Sequence, residues 1–181
     1  MTDLKMPPAM AELRPALPGI VADGQARVPY FSVLLSRRHS LDIVVNNREE
    51  RVTDRPPFAG TVLSAFDGST MHERAIGGFS GVEAQKATRE LVRGLSAGKY
   101  VPQETPARNG DFATEVRIDP LEMTVQEKLD RCRELHRRVK GLDPRIVNVQ
   151  VLYRESNEHS IFANHNTDVA QRVQRVVMYL F

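Results

Sequence analysis

Residues 119–164, DPLEMTVQEKLDRCRELHRRVKGLDPRIVNVQVLYRESNEHSIFAN, contain a helix, both of its end signals and the strands that follow it. Thr124 and Glu127 form a T-x-x-E capping box, in which each side chain covers a free backbone N–H group of the other residue. Apolar residues then recur at helical spacing, at Val125, Leu129, Cys132, Leu135, Val139 and Leu142. Gly141 and Pro144 end the pattern, so we predict a helix that stops just before Gly141.

After this helix the period of the sequence changes from helical to alternating. Apolar and polar positions alternate over residues 147–154, which is typical of a half-buried strand. Residues 155–158, Glu-Ser-Asn-Glu, predict a turn, after which His159, Ile161 and Ala163 begin the return strand. The stretch therefore predicts a helix packed on antiparallel strands, but it does not identify a reaction.

The composition is that of an ordinary folded domain. The chain has 181 residues, of which 41% are hydrophobic and 27% are charged. A formal net charge of +2 gives no strong attraction to nucleic acid or to an anionic membrane. The single cysteine cannot form an internal disulfide, and no apolar run is long enough to span a bilayer. We therefore expect a cytoplasmic protein.

The segment before residue 119 reads as short helices, then strands, then one helix. Prolines limit residues 1–29 to irregular structure with short helices near 9–14 and 20–26. Strands are predicted at Tyr30–Ser36 and Leu41–Val45 with a turn between them, and Pro56-Pro57 is expected to interrupt the next pairing. Asp67-Gly68 predicts a hairpin, and Ser80 caps a helix whose buried face carries Ala84, Ala87, Leu91 and Leu95.

The remaining segments complete an α+β plan. Residues 99–115 are polar and predict an exposed connection, whereas residues 169–181 alternate as a final strand. The fold class is therefore α+β, an antiparallel sheet with two main amphipathic helices packed on one side, in one domain over residues 30–181. Because residues 176–181 are apolar and no turn follows them, we expect the sequence to be an N-terminal piece of a longer protein.

The order of several segments resembles the N-terminal domain of the TldD/PmbA family, whose members are also called modulators of DNA gyrase. The resemblance extends over nearly the whole chain from about Tyr30, and the sequences of the matching segments are nearer to those of the TldD branch. The matching segments are Gly60–Phe66 with Asp67-Gly68, Gly77-Gly78-Phe79, Asp119-Pro120, Thr124–Lys128, Asp143–Val147, Ile161–Asn164 and Asp168–Val173. None of these segments is a catalytic signature.

The resemblance implies a zinc metallopeptidase, or a subunit of one, that acts on unfolded or ribosomally made peptides. It also implies a homo- or heterodimer with a TldD/PmbA-type subunit, in which this domain contributes dimer contacts and helps to enclose the substrate. The family's zinc helix carries H-E-x-x-x-H, whose histidines bind the metal and whose glutamate activates water. That motif is absent from this sequence, so zinc is implied only for a full-length protein.

No catalytic, metal-binding or cofactor-binding residue is therefore predicted in this chain. His72-Glu73 is the one His-Glu pair, but Gly77 stands where a second histidine would be required. His159 and His165 lack a third ligand at a suitable spacing. Cys132 lies within an apolar stripe, so we interpret it as a structural thiol rather than as a nucleophile paired with His136.

Two further features suggest binding, and each has a simpler interpretation. Basic residues recur over 128–140, but acidic residues alternate with them as favourable i,i+4 pairs, which indicates a solvated helix face rather than a phosphate-binding stripe. Gly77–Gly81 precedes a helix but matches no phosphate-binding fingerprint. The alternative to a peptidase domain is a stand-alone adaptor module, associated with nucleic acid or gyrase.

Overall fold

The computed structural model describes residues 4–103 and 105–181. Residues 1–3 of the predicted N-terminal segment and Glu104 of the predicted connection lie outside the described residues. The helices are α1 Pro8–Leu13, α2 Leu17–Gln25, α3 Gly81–Leu91 and α4 Val125–Lys140. The strands are β1 Tyr30–Asn46, β2 Glu50–Phe66, β3 Met71–Gly77, β4 Arg108–Ala113, β5 Gln150–Asn164 and β6 Thr167–Leu180.

These strands form a six-stranded sheet in the order β3-β2-β1-β5-β6-β4. β2 pairs with β3 in antiparallel fashion, from Gly60 opposite Gly77 to Phe66 opposite Met71. β4 pairs with β6 in parallel, from Arg108 with Thr167 to Ala113 with Arg172. The α+β plan with a largely antiparallel sheet is confirmed.

The chain divides into two compact units. Unit 1 consists of residues 1–37, 58–113 and 158–172, and unit 2 consists of residues 38–57, 114–157 and 173–181. Helices α1, α2 and α3 belong to unit 1, and α4 belongs to unit 2. No helix among the described residues is long and apolar enough to cross a membrane.

The core of unit 1 depends on the N-terminal helices. Met10, Leu13, Leu17 and Ile20 are almost fully buried there together with residues from four strands. The strand residues recur at every second position within β1, β2 and β5, as the alternation of side chains along a strand requires; they are Phe31, Val33, Leu35, Leu63, Ala65, Ile161 and Ala163, with Ala170 of β6. The segment predicted as irregular with short helices thus forms those helices and packs them into a core.

The core of unit 2 is built by α4 on the adjoining strand segments. Leu129 and Cys132 of the predicted apolar stripe pack against Leu41, Ile43, Val45, Val151 and Tyr153. The capping box is present, because Thr124 N–H donates to Glu127 Oε2 over 2.7 Å and Glu127 N–H donates to Thr124 Oγ1 over 3.2 Å. The helix ends at Lys140, and Gly141 is its C-cap, as predicted.

Three predicted strand boundaries are wrong, and in each case a polar or proline residue lies inside a strand. β1 runs through the predicted turn at residues 37–40, and β2 runs through Pro56-Pro57. β3 pairs with β2 only from Gly60 onward, so the prolines lie where β2 has no β3 neighbour and cost fewer sheet hydrogen bonds. The predicted turn at residues 155–158 lies within β5, so His159, Ile161 and Ala163 complete that strand instead of beginning the return strand.

The polar connection expected at residues 99–115 contains a strand that was not predicted. β4 has the sequence RNGDFA, whose single large apolar residue, Phe112, is exposed. Its parallel partner lies about sixty residues further along the chain. The alternation of apolar residues could not predict a strand of this kind, because neither of its faces is buried as a whole.

Candidate functional site

A largely apolar pocket of about 290 Å³ lies within unit 2, beside the exposed part of β6. Its apolar walls are Ile118, Pro120, Met123, Val176 and Met178. Its polar lining consists of Lys128 and Arg131 of α4 and Tyr153 of β5. A concave apolar site with a few converging polar groups is the usual form of a binding pocket.

The segment that forms one wall has one internal hydrogen bond and is held to β6 by two more. Asp119 Oδ1 accepts the N–H of Leu121 over 3.0 Å, which caps the short 3₁₀ helix Pro120–Glu122. The same oxygen accepts a hydrogen bond from Gln174 Nε2 over 2.8 Å. The backbone N–H of Gln174 donates to Thr114 Oγ1 over 3.2 Å. The wall is therefore positioned by β6, the strand that supplies the opposite side of the pocket.

Beneath the pocket lies a buried ion pair. Lys128 Nζ is 2.7 Å from Glu155 Oε2, and the two side chains are only 6% and 3% exposed. The hydroxyl of Tyr153 donates to the same carboxylate oxygen over 2.6 Å. A buried carboxylate is tolerated only when a charge and hydrogen bonds compensate it, and Lys128 and Tyr153 provide both.

This environment keeps the neighbouring acidic groups protonated. Burial raises the pKa of Tyr153, and the hydrogen bond to Glu155 and the charge of Glu155 raise it further. Burial also raises the pKa of the Cys132 thiol. Because the reactive form of a thiol is the thiolate, Cys132 has the properties of a structural cysteine, as interpreted from the sequence.

In the two candidate pairs, His72 with Glu73 and His136 with Cys132, each histidine contacts a residue outside its pair. His136 Nε2 lies 3.0 Å from Oδ1 of Asn47, a residue of the connection between β1 and β2. His72 Nε2 lies 2.8 Å from Asp67 Oδ2, whereas Glu73 accepts a hydrogen bond from Ser64 Oγ over 3.0 Å. Both contacts stabilise local structure.

Asp67 organises the β2–β3 turn that the sequence predicted. Its Oδ1 accepts the backbone N–H groups of Ser69 and Thr70, both over 2.8 Å. The bond from Thr70 and then the contact with His72 hold the pKa of Asp67 far below its usual range. The His72-Glu73 pair is thus part of a hairpin strand.

His159 and His165, the other histidines considered as metal ligands, lie in unit 1 in different surroundings. His159 is 3% exposed, and burial, followed by the charge of Arg172, lowers its pKa. His165 lines a separate pocket of about 370 Å³ together with Tyr30, Gln103 and Asn164. In the part of the chain that the structure describes, no three His, Cys, Asp or Glu residues are grouped as metal ligands. The described residues therefore offer no ligand set for the zinc that the resemblance implies for a full-length protein.

On the basic side of α4, Arg133 forms ion pairs with Glu50 and Asp130. Arg133 donates to Glu50 Oε1 and Oε2 over 3.0 Å each through Nε, and to Asp130 Oδ1 over 2.7 Å through Nη1. These hydrogen bonds, the one to Glu50 most strongly, raise the pKa of Arg133.

Ser80 Oγ accepts the N–H of Glu83 over 3.3 Å, so the Gly77–Gly81 stretch provides a helix cap, as interpreted from the sequence.

Sequence reasoning did not find the pocket. Lys128 precedes Cys132 by four residues and so lies on the buried face of α4, which was the available signal for a buried lysine. Its partner Glu155 was assigned to a turn. The contribution of Ile118 and Met123 could not be read from periodicity, because they lie in irregular structure.

Comparison with known proteins gives a family match for part of the chain. Residues 118–180 match the family described as PmbA/TldA metallopeptidase central domain. This match covers the pocket walls, α4, β5 and β6. The description places the region in the central domain of that family, whereas the sequence resemblance was to the N-terminal domain. No curated protein matches the chain.

Solved structures share the fold at low sequence identity. A protein from Bacteroides thetaiotaomicron described as a modulator of DNA gyrase has a TM-score of 0.64 at 12% identity, over 93% of this chain and 40% of its own. A Thermotoga maritima protein of the same description has a TM-score of 0.63 at 16% identity, over 93% and 38%. TldE from Thermococcus kodakarensis has a TM-score of 0.56 at 16% identity, over 95% and 38%.

This chain thus spans about two fifths of the length of the solved chains that it matches. The family match rests on residues 118–180, and the structural matches extend the shared fold to more than nine tenths of the chain. Together they confirm the resemblance of this chain to the TldD/PmbA family.

Proposed function

We propose that this chain is a non-catalytic part of a TldD-like zinc metallopeptidase that acts on unfolded or ribosomally made peptides. The observation that carries this proposal is the match of residues 118–180 to a metallopeptidase central domain. The low-identity structural matches support the fold only, and their descriptions as gyrase modulators are properties of those proteins.

The chemistry of the described residues favours a role in binding rather than in hydrolysis. Burial raises the pKa of Cys132, and the hydroxyl of Tyr153 is committed to Glu155. These groups can stabilise a fold and line a pocket, but neither is activated for attack on a peptide bond. The zinc and the water that it activates would be supplied by another part of the assembly.

The proposed contribution of this chain is to form dimer contacts with a TldD/PmbA-type subunit and to help enclose the peptide, in the cytoplasm. Exposed apolar residues in unit 2 provide surface for such contacts. They include Ile118, Val176, Val177, Met178, Tyr179 and Leu180. Apolar surface of this kind, when contiguous, commonly marks a protein interaction site.

The proposal is tested with the purified protein in two measurements. Light scattering is expected to give about twice the monomer mass of 20.4 kDa for the protein alone, or the sum of the two subunit masses when a TldD/PmbA-type subunit is added. Incubation with unfolded casein and zinc is expected to yield no cleavage by this chain alone. Cleavage by this chain, or a monomer that associates with no such subunit, would contradict the proposal.

A further inference from the structure

Helices α2 and α3 pack against each other, and both end at a pocket of about 320 Å³ in unit 1. The charged residues that line this arginine pocket are Arg27, Arg89 and Arg93, with one acid, Asp23. Asp23 lies in α2 and Arg89 in the last turn of α3, whereas Arg27 and Arg93 lie just after the two helices end. The lining therefore carries an excess of two positive charges.

A tight turn after α3 positions Arg93 at the pocket. The N–H of Leu95 donates to the C=O of Val92 over 3.2 Å, and Gly94 has a φ of +79°, in the left-handed region that glycine adopts readily. The turn returns Leu95 to the core of unit 1 and leaves Arg93 exposed. Val92 and Leu95 then supply the apolar lining of the pocket.

The three guanidinium groups of the arginine pocket lack a carboxylate partner. Among residues 4–103 and 105–181, no ion pair or side-chain hydrogen bond involves Arg27, Arg89 or Arg93. Glu90, which follows Arg89 in the chain, pairs instead with Arg74 over 2.7 Å. Like charges that surround one pocket repel one another, so a bound anion would offset this repulsion.

A second role for these arginines is to stabilise the ends of the helices. Cations near a helix C-terminus interact favourably with the helix dipole, which accounts for the position of each arginine by itself. It does not require that arginines from two helices converge on one pocket. The two roles also differ in what they predict, because only a binding role makes the affinity for an anion depend on these residues.

The charge of the arginine pocket selects among possible anions. A carboxylate or a sulfate ester carries one negative charge, whereas a phosphate monoester carries about 1.5 to 2 at pH 7 and has three acceptor oxygens. Guanidinium groups bind such oxygens through pairs of parallel hydrogen bonds. The pocket is larger than a phosphate group alone, and Val92 and Leu95 offer apolar surface to an attached organic group.

We propose that the arginine pocket binds the phosphate group of a small phosphate monoester, whose organic group packs on Val92 and Leu95. The phosphate chemistry is shared with free inorganic phosphate, which the test below distinguishes from an ester. This inference goes beyond the proposed function and does not depend on it, because a phosphate site in unit 1 requires neither peptide cleavage nor a partner subunit.

The test is isothermal titration calorimetry of the purified protein with three probes, namely phenyl phosphate, inorganic phosphate and phenyl sulfate. Phenyl sulfate has nearly the shape of phenyl phosphate but only one negative charge. Saturable binding of phenyl phosphate is expected, with weaker binding of inorganic phosphate, which lacks the organic group. Phenyl sulfate should bind about tenfold more weakly or worse, because it forms weaker charge-assisted hydrogen bonds with the arginines.

Two variants of the pocket should change the affinity in opposite directions. Arg93→Gln is expected to weaken phenyl phosphate binding about tenfold, since it removes a charged donor. Asp23→Asn is expected to strengthen it several-fold, because the carboxylate that repels the phosphate is lost. The matched controls are Arg138→Gln and Glu134→Gln, which make the same charge changes at exposed positions of α4 outside the pocket and should leave the affinity unchanged.

Several outcomes would overturn the inference. Equal binding of phenyl sulfate, equal effects of Arg93→Gln and Arg138→Gln, or no saturable binding would each exclude the site. If Arg93→Gln lowers only the midpoint of thermal unfolding, the arginine serves the helix end alone. Tighter binding of inorganic phosphate than of phenyl phosphate would exclude the ester. Should Arg93→Gln fail to fold, unchanged affinity in Asp23→Asn would still contradict the site.

Discussion

Lys128 Nζ lies 2.7 Å from Glu155 Oε2, and this contact joins the one buried-face lysine of α4 to the middle of β5. Each charge offsets the free-energy cost of burying the other. The pair also places the hydroxyl of Tyr153, because the same carboxylate oxygen accepts its hydrogen bond. The floor of the pocket therefore depends on a single pair of opposite charges.

Removing one charge of this pair should lower the free energy of unfolding far more than removing both. Lys128→Met leaves Glu155 buried without its cation, which should lower the free energy of unfolding by about 3–5 kcal/mol. The double variant Lys128→Met with Glu155→Leu should recover most of that loss, since apolar residues of similar volume can replace a buried pair. Urea unfolding of the wild type, both single variants and the double variant measures the difference. Additive losses in the double variant would show that the charges do not compensate each other.

His159 should make the stability of the protein depend on pH below neutrality. Burial first, and then the charge of Arg172, lower its pKa from 6.5 in the folded state. The unfolded chain therefore binds a proton near pH 6.5 that the folded chain resists, and the free energy of unfolding falls as the pH decreases from about 7 to 5. His159→Phe should reduce this slope in thermal melts at pH 7 and pH 5. An unchanged slope in His159→Phe would contradict the assignment.

Tyr153 should produce the opposite trend at alkaline pH. Its folded-state pKa is raised, by burial first, so the stabilisation that it provides is complete below the unfolded-state pKa of about 10. That stabilisation is lost as the pH increases beyond 10, because only the unfolded chain then ionises readily. Urea unfolding at pH 8 and pH 11 should show a smaller loss for Tyr153→Phe than for the wild type. An equal loss in the two proteins would assign the alkaline effect to other groups.

Two glycines of α2 provide a matched test of packing in unit 1. A Cβ atom at Gly24 would lie 2.3 Å from the ring of Phe31, whereas one at Gly19 would meet nothing within 4 Å. Gly24→Ala should therefore destabilise the protein by about 1–3 kcal/mol through overpacking. Gly19→Ala should instead stabilise it by about 0.4–1 kcal/mol, because alanine restricts the unfolded chain. Stabilisation by both substitutions would mean that Phe31 moves aside without cost.

The sequence predicted local structure well where a backbone signal was present. The caps at Ser80 and Thr124, the Asp67-Gly68 turn and the middle of the apolar stripe of α4 appear where expected. The two ends of that stripe, Val125 and Leu142, are exposed. These signals are local, because a capping side chain or a turn glycine acts on backbone groups within three or four residues.

The failed predictions share a different cause. Residues 155–158 are polar and therefore resemble a turn, yet Glu155 is buried because Lys128, twenty-seven positions earlier, neutralises it. β4 is a strand only because β6 lies beside it. The pocket has the same origin, since its walls come from separate segments. Contacts of this kind depend on tertiary structure, and a single sequence has no local pattern that reports them.

The division of unit 1 among three separated segments has a consequence for synthesis on the ribosome. Arg14 forms hydrogen bonds with Asp168 at 3.0 Å and with Asp111 at 2.8 Å, so the N-terminal helices contact residues made much later. At about 5–20 residues per second, the first segment waits roughly 6–24 s between the translation of residue 37 and that of residue 158. During that interval the apolar side of α2 has no completed core to cover it. Nascent chains of this protein should therefore be clients of ribosome-associated chaperones until the hairpin of β5 and β6 emerges.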